Sequence, residues 1–141
     1  MLILVIDGQG GGIGRTLVEA LVKKYPQHEV AAVGSNATAT ANMLKGSPTY
    51  VATGDNAVIF NAGRADVIIG PTGIVMANAM HGEISPQMAA AITSSRAELI
   101  LIPMNHCRAH IAGVEDKKIS EYLVEALEML DTILNEKNNR A

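Results

Sequence analysis

The run Asp7-Gly8-Gln9-Gly10-Gly11-Gly12-Ile13-Gly14 constrains this chain more than any other feature. It directly follows a purely aliphatic stretch, Leu2–Ile6. Glycine loses more backbone freedom on folding than any other residue, so a run this dense needs a physical reason. After the run, apolar residues fall at Ile13, Leu17, Val18, Leu21, Val22 and Tyr25, the spacing of one helix face, and Pro26 ends the pattern. The opening of the chain therefore reads as buried strand, glycine turn and amphipathic helix.

The same alternation continues. Strands are predicted at Glu29–Val33, Thr49–Thr53, Asp66–Gly70 and Glu98–Ile102. A sixth, short strand is predicted at His110–Val114. Helices are predicted from Ala37 to Lys45 behind an Asn36 cap, after an Asp55 cap, through Met80, and after Ser85-Pro86. A last helix is predicted over Asp116–Glu136, with a stripe at Ile119, Leu123, Ala126, Leu130 and Ile133 packed on the sheet and a frayed tail from Asn135 to Ala141. Strands alternating with helices predict an α/β fold with a mainly parallel, doubly wound five-stranded sheet. Right-handed crossovers favour the strand order 3-2-1-4-5, a Rossmann-like arrangement.

Size and composition agree. The 141 residues predict a single domain spanning 1–141, and a chain of this length can bury a real core. With three Tyr, one Phe and no Trp, that core must be aliphatic. The formal charge of -3 carries no basic stripe, which argues against a nucleic-acid partner. The lone Cys107 fits a reducing compartment, and Leu2–Ile6 is too short for the apolar part of a signal peptide. The longest apolar region, Val67–Met80, is too short and too broken by Gly70, Pro71 and Gly73 to span a bilayer. A soluble cytoplasmic protein is the expectation.

In a doubly wound sheet, ligands bind at the carboxyl edge of the strands, at the switch point between first and fourth. A helix N-terminus there offers unpaired N–H groups and partial positive charge to a phosphate, and glycines let the phosphate reach the main chain. The spacing G-x-G-x-x-G fails at Ile13, but G-x-x-x-G-x-G fits at Gly8, Gly12 and Gly14. Gly8 to Arg15, followed by Leu17, Glu19, Ala20 and Leu21, resembles the nucleotide loop of short-chain dehydrogenases. That resemblance implies an NAD(P) pyrophosphate at the loop. The family's catalytic Tyr-x-x-x-Lys is missing: Tyr25, Tyr50 and Tyr122 are followed four residues on by Glu29, Gly54 and Ala126. Gly34-Ser35-Asn36 stands where an acidic residue would hold a ribose, which favours NADP over NAD. Asp7 beside a phosphate loop repels it unless turned away.

As a whole the chain resembles a family of short bacterial proteins of uncharacterised activity with a Rossmann-like start. The glycine loop, Ala65–Pro71, Gly82–Pro86 and Ile102–Asn105 carry that resemblance. A weaker one links Gly11-Gly12-Ile13-Gly14-Arg15-Thr16 to the variant P-loop of small ATPases, with Arg15 in place of the lysine.

The expected cofactor site is therefore Gly8, Gln9, Gly10, Gly11, Gly12, Ile13, Gly14 and Arg15 at the pyrophosphate. Ser35 and Asn36 are expected at the adenosine ribose or its phosphate, and Pro71, Thr72 and Gly73 at the other half. Asp55 is either a contact for adenine or ribose or a helix cap. His81, Glu83, His106, Cys107, Arg108 and His110 do not match a common zinc spacing; Glu83 is the candidate acid or base. Three classes of function stay open: a small oxidoreductase, a nucleotide sensor, or an assembly protein whose loop holds nothing. A homodimer is expected, to complete the half-open crevice.

Overall fold

The computed structural model describes residues 1–104 and 108–140. Five strands form one parallel sheet: β1 Leu2–Asp7, β2 Glu29–Gly34, β3 Tyr50–Thr53, β4 Val67–Pro71 and β5 Glu98–Ile102. Their order is β3-β2-β1-β4-β5, as the alternation predicts for a doubly wound α/β fold. Between them run α1 Gly12–Lys24, α2 Ala37–Leu44, α3 Asp55–Ala62, α4 Pro86–Ser94 and, after β5, α5 Ile119–Arg140.

β1 is central and buried along its whole length, which is why it reads as unbroken aliphatic residues. Side chains alternate across the sheet with period two. Ile3 and Val5 face α1, α2 and α5, packing with Leu17, Leu21, Met43 and Leu130. Leu4 and Ile6 face α3 and α4, packing with Val58, Met88 and Ile92. α5 docks on the sheet through Ala126, Leu130 and Leu134. The Tyr25 hydroxyl at the end of α1 donates to Asp131, and Lys24 pairs with the same carboxylate at 2.8 Å.

Three expectations are corrected. The stretch His110–Val114 forms no strand; Ile111 and Val114 are exposed there, without the alternating burial that stabilises an edge strand. Helix α5 continues to Arg140 instead of fraying from Asn135. The helix expected through Met80 is only a 3₁₀ turn, Thr72–Val75, and the chain from Ala77 onward is a series of turns. Three of the residues there, Asn78, Met80 and His81, have φ of 66°, 56° and 56°. A right-handed helix cannot accommodate left-handed residues. No helix among the described residues is long and apolar enough to cross a membrane.

The register aligns Asp7 with Gly34, Gly34 with Thr53, and Pro71 with Ile102. The loops that follow these strands all open at the carboxyl edge.

Candidate functional site

The glycine turn is held by its neighbours' side chains. Asp7, the last residue of β1, is buried at 5% exposure and turns back into the loop. Its Oδ1 accepts from the Gly8 N–H at 2.8 Å and its Oδ2 from the Gly14 N–H at 2.7 Å. Burial pushes the Asp7 carboxyl above its ordinary range, the Gly14 and Gly8 N–H groups oppose that, and the charge of Glu83 adds to the rise. Thus Asp7 takes up two of the N–H groups that a pyrophosphate would need.

The glycines divide into two kinds. A Cβ on Gly8 would lie 2.5 Å from Met80 Sδ and from Ser35 Oγ. Gly11 has φ of 70°, and a Cβ there would lie 2.7 Å from the Ala39 carbonyl. A Cβ on Gly14 would run into Met43 and the Asp7 Cβ. Gly10 and Gly12 differ: neither has a left-handed φ, and a Cβ on either would meet nothing within 4 Å. Among the described residues, the N–H groups of Gly10, Gly12 and Ile13 have no hydrogen-bond partner.

These open positions line a cleft of about 730 Å³. One wall is Asp7 to Ile13; the other runs from Met76 to His81, with Pro71, Gly73, Met104 and Arg108 at the margins. The remaining expected residues do not line it. Gly14 sits inside the first turn of α1. Arg15 pairs with Glu19 at 2.8 Å and reaches Asn42, on the surface. Thr72 is buried and donates to the Ile102 carbonyl at 2.9 Å. Asp55 is the first residue of α3 rather than its cap, which is Gly54, and its Oδ2 accepts from Ser85 Oγ at 2.5 Å.

Ser35 and Asn36 are engaged with Glu83. Glu83 Oε1 accepts from Asn36 Nδ2 at 2.7 Å, Ser35 Oγ at 2.8 Å and the Gln9 N–H at 2.9 Å. Burial raises the Glu83 carboxyl, but the donors from Gln9, Asn36 and Ser35, with nearby His81, outweigh it and hold the group below its ordinary range. It stays ionised, which suits a clamp and not a general acid.

Sequence reasoning missed the wall from Met76 to Met80, and Met104. A position just after β4, at the switch point, was the available signal. Of the histidine and cysteine set, His106 and Cys107 lie outside the described residues. Among the described residues no group of three His, Cys, Asp or Glu side chains could hold a metal ion.

The family described as Domain of unknown function (DUF3842) matches residues 2–135. No curated protein matches the chain. Among solved structures, it is similar to a dodecameric FMN-dependent Ubix-like decarboxylase from Escherichia coli O157:H7. Identity is 18% and the TM-score 0.47, over 94% of this chain and 75% of that one. NADP or NAD as cofactor is corrected: Ser35 and Asn36, expected at the adenosine half, do not line the cleft. In this chain the Glu83 carboxylate occupies the place expected to receive an adenosine ribose or its phosphate.

Proposed function

The chain belongs to the DUF3842 family, and from its cleft we propose that it binds a mononucleotide by its phosphate. The observation that carries this reading is the pair Gly10 and Gly12. Protein packing and φ angle leave both positions free to bear a side chain. Glycine where alanine would fit without strain costs about 0.4–1 kcal/mol, chiefly through the freedom of the unfolded chain. A ligand lying against bare main chain accounts for both.

The chemistry around them suits a phosphate ester with a planar ring. The N–H groups of Gly10, Gly12 and Ile13 stand at the positive end of α1, where a phosphate is favoured. Arg108 adds a cationic side chain at the margin. Met76 and Met80 line the other wall and Met104 the margin, and thioether sulfur packs well against aromatic rings. The Glu83 bridge closes the direction toward β2, so the cleft suits one nucleotide rather than two.

FMN, the cofactor named for the similar decarboxylase, is the first mononucleotide to test. Its fluorescence is expected to be quenched on titration with the protein, and riboflavin, which lacks the phosphate, is expected to bind at least tenfold more weakly. AMP in a thermal-shift assay tests whether the ring matters. Gly12→Val is expected to abolish binding with the fold intact. Equal affinity for riboflavin and FMN, undiminished binding by Gly12→Val, or no response to either nucleotide would each sink the reading. The homodimer is proposed to close the open side of this cleft; light scattering that reports only monomer removes it.

A further inference from the structure

Gln9 lies in the glycine wall in a backbone conformation that its side chain does not explain. Its φ is 49°, in the left-handed region that glycine adopts freely and glutamine does not. Its side chain is exposed. Something must therefore hold the main chain there, and two contacts do. Glu83 Oε1 accepts from the Gln9 N–H at 2.9 Å. Asn36 Nδ2 donates to the Gln9 carbonyl at 2.9 Å, and to Glu83 Oε1 at 2.7 Å.

We infer that Glu83 and Asn36 are positioning residues that pin the two peptides flanking Gln9 and thereby aim the Gly10 N–H into the cleft, a role that rests on the mononucleotide reading above. The geometry follows from peptide planarity. Within one trans peptide the C=O and the N–H point in opposite directions. With the Gln9 carbonyl drawn toward Asn36, the Gly10 N–H of the same peptide faces away from Asn36, toward the cleft that Gly10 lines. With the Gln9 N–H held by Glu83 and its carbonyl by Asn36, both flanking peptides are fixed and φ of Gln9 stays positive. Gly10's own carbonyl is fixed in turn by Asn42 Nδ2 at 2.9 Å, so the donor sits between two held groups.

Simple electrostatics predicts the opposite role for Glu83. A carboxylate near a bound phosphate repels it, so removing it should tighten binding. Positioning predicts that removal weakens binding, because the released peptide turns and one N–H is lost. The two accounts differ in sign.

The experiment uses Glu83→Ala, Glu83→Gln, Asn36→Ser and the double variant Gln9→Gly with Glu83→Ala, each titrated with FMN. Glu83→Ala is expected to weaken FMN binding roughly tenfold, the worth of one hydrogen bond to a charged group. Glu83→Gln keeps an oxygen acceptor and is expected to retain most of the affinity. Asn36→Ser keeps a good cap for α2 but loses both donations, so affinity falls without a matching fall in Tm. The double variant is expected to recover affinity over Glu83→Ala alone, since glycine has no left-handed penalty; neither a charge effect nor general loosening would be rescued that way.

A second measurement needs no ligand. In the free protein, the amide–Hα coupling of Gln9 and the Gly10 amide resonance are expected to shift in Glu83→Ala. Unchanged free-state resonances, or FMN binding to Glu83→Ala as tight as to the wild type, would overturn the inference. Should the wild type bind neither FMN nor AMP, the mononucleotide reading fails, while the free-state resonances still decide whether Glu83 pins Gln9.

Discussion

The two walls of the cleft are built on opposite terms. The wall from Asp7 to Ile13 is tied inward by polar side chains: Asp7, Asn36, Asn42 and Glu83 each take a main-chain group of the loop. The wall from Met76 to His81 presents two methionines and relies on local turns, with the Asn78 N–H donating to the Ile84 carbonyl at 2.6 Å and the Gly82 N–H to that of Asn78 at 3.1 Å. One wall offers fixed N–H donors and the other soft, polarisable apolar surface. A ligand with a phosphate at one end and a ring at the other matches that difference.

Within the first wall the glycines repeat the lesson on a smaller scale, and they give the largest expected effect. Gly14→Val forces a side chain against Met43 and Asp7, inside a packed core. Overpacking of that kind is expected to destabilise by about 3 kcal/mol, near the top of the usual range. In a chain of this size that lowers Tm by roughly 10 °C in a thermal melt. Gly12→Val places the same atoms in open space and is expected to stay within about 0.5 kcal/mol of the wild type. If the two variants melt alike, the division of the glycines is wrong.

The next effect concerns Asp7 and pH. Its folded-state pKa is raised, so the folded protein holds a proton that the unfolded chain has released. The stability this contributes is fully present below the ordinary carboxylate pKa and is lost as pH rises through the raised one. Denaturant titrations over that window should show wild-type stability falling with pH. Glu83, whose pKa is lowered, slopes the other way: its contribution is lost as pH falls through its folded value. Asp7→Asn should remove the Asp7 part of the slope and leave the Glu83 part. A variant that keeps the full wild-type slope would show that the buried carboxylate is not its source.

How far the sequence told this story depended on whether contacts were local. The strands and their order were legible because β1 is aliphatic throughout and each crossover carries a helix with apolar residues at helical spacing. The Ser85-Pro86 start of α4 was legible for the same reason, since a cap and its helix are neighbours in the chain. The glycine wall was legible as a phosphate loop, but the role of each glycine was not. That depends on Met43, Ala39 and Met80, which arrive from other elements. Glu83 looked like a lone acid because its donors stand 74, 48 and 47 residues away. The opposite wall was misread as helix because Met80 gives no sign of left-handed backbone, and Asn78 and His81, types enriched there, favour it too weakly to outweigh an apolar run.

That left-handed backbone supplies the smallest and most discriminating test. His81 is exposed, with φ of 56°, so its side chain contributes strain and little packing. His81→Gly relieves the strain but gives the unfolded chain more freedom, and these oppose each other. The net is expected to be a gain of about 0.5 kcal/mol by denaturant unfolding. Gln9→Gly, at φ of 49° on the other wall, should gain by a similar amount if strain alone sets the outcome. The walls should part on binding. Gln9→Gly leaves the pinned N–H groups in place, so FMN affinity holds. His81→Gly loosens a wall that has only turns to hold Met80 in position, and ordering it again on binding weakens FMN affinity two- to threefold. A His81→Gly variant that gains stability and keeps full affinity would mean that the strain on this side does nothing for the ligand.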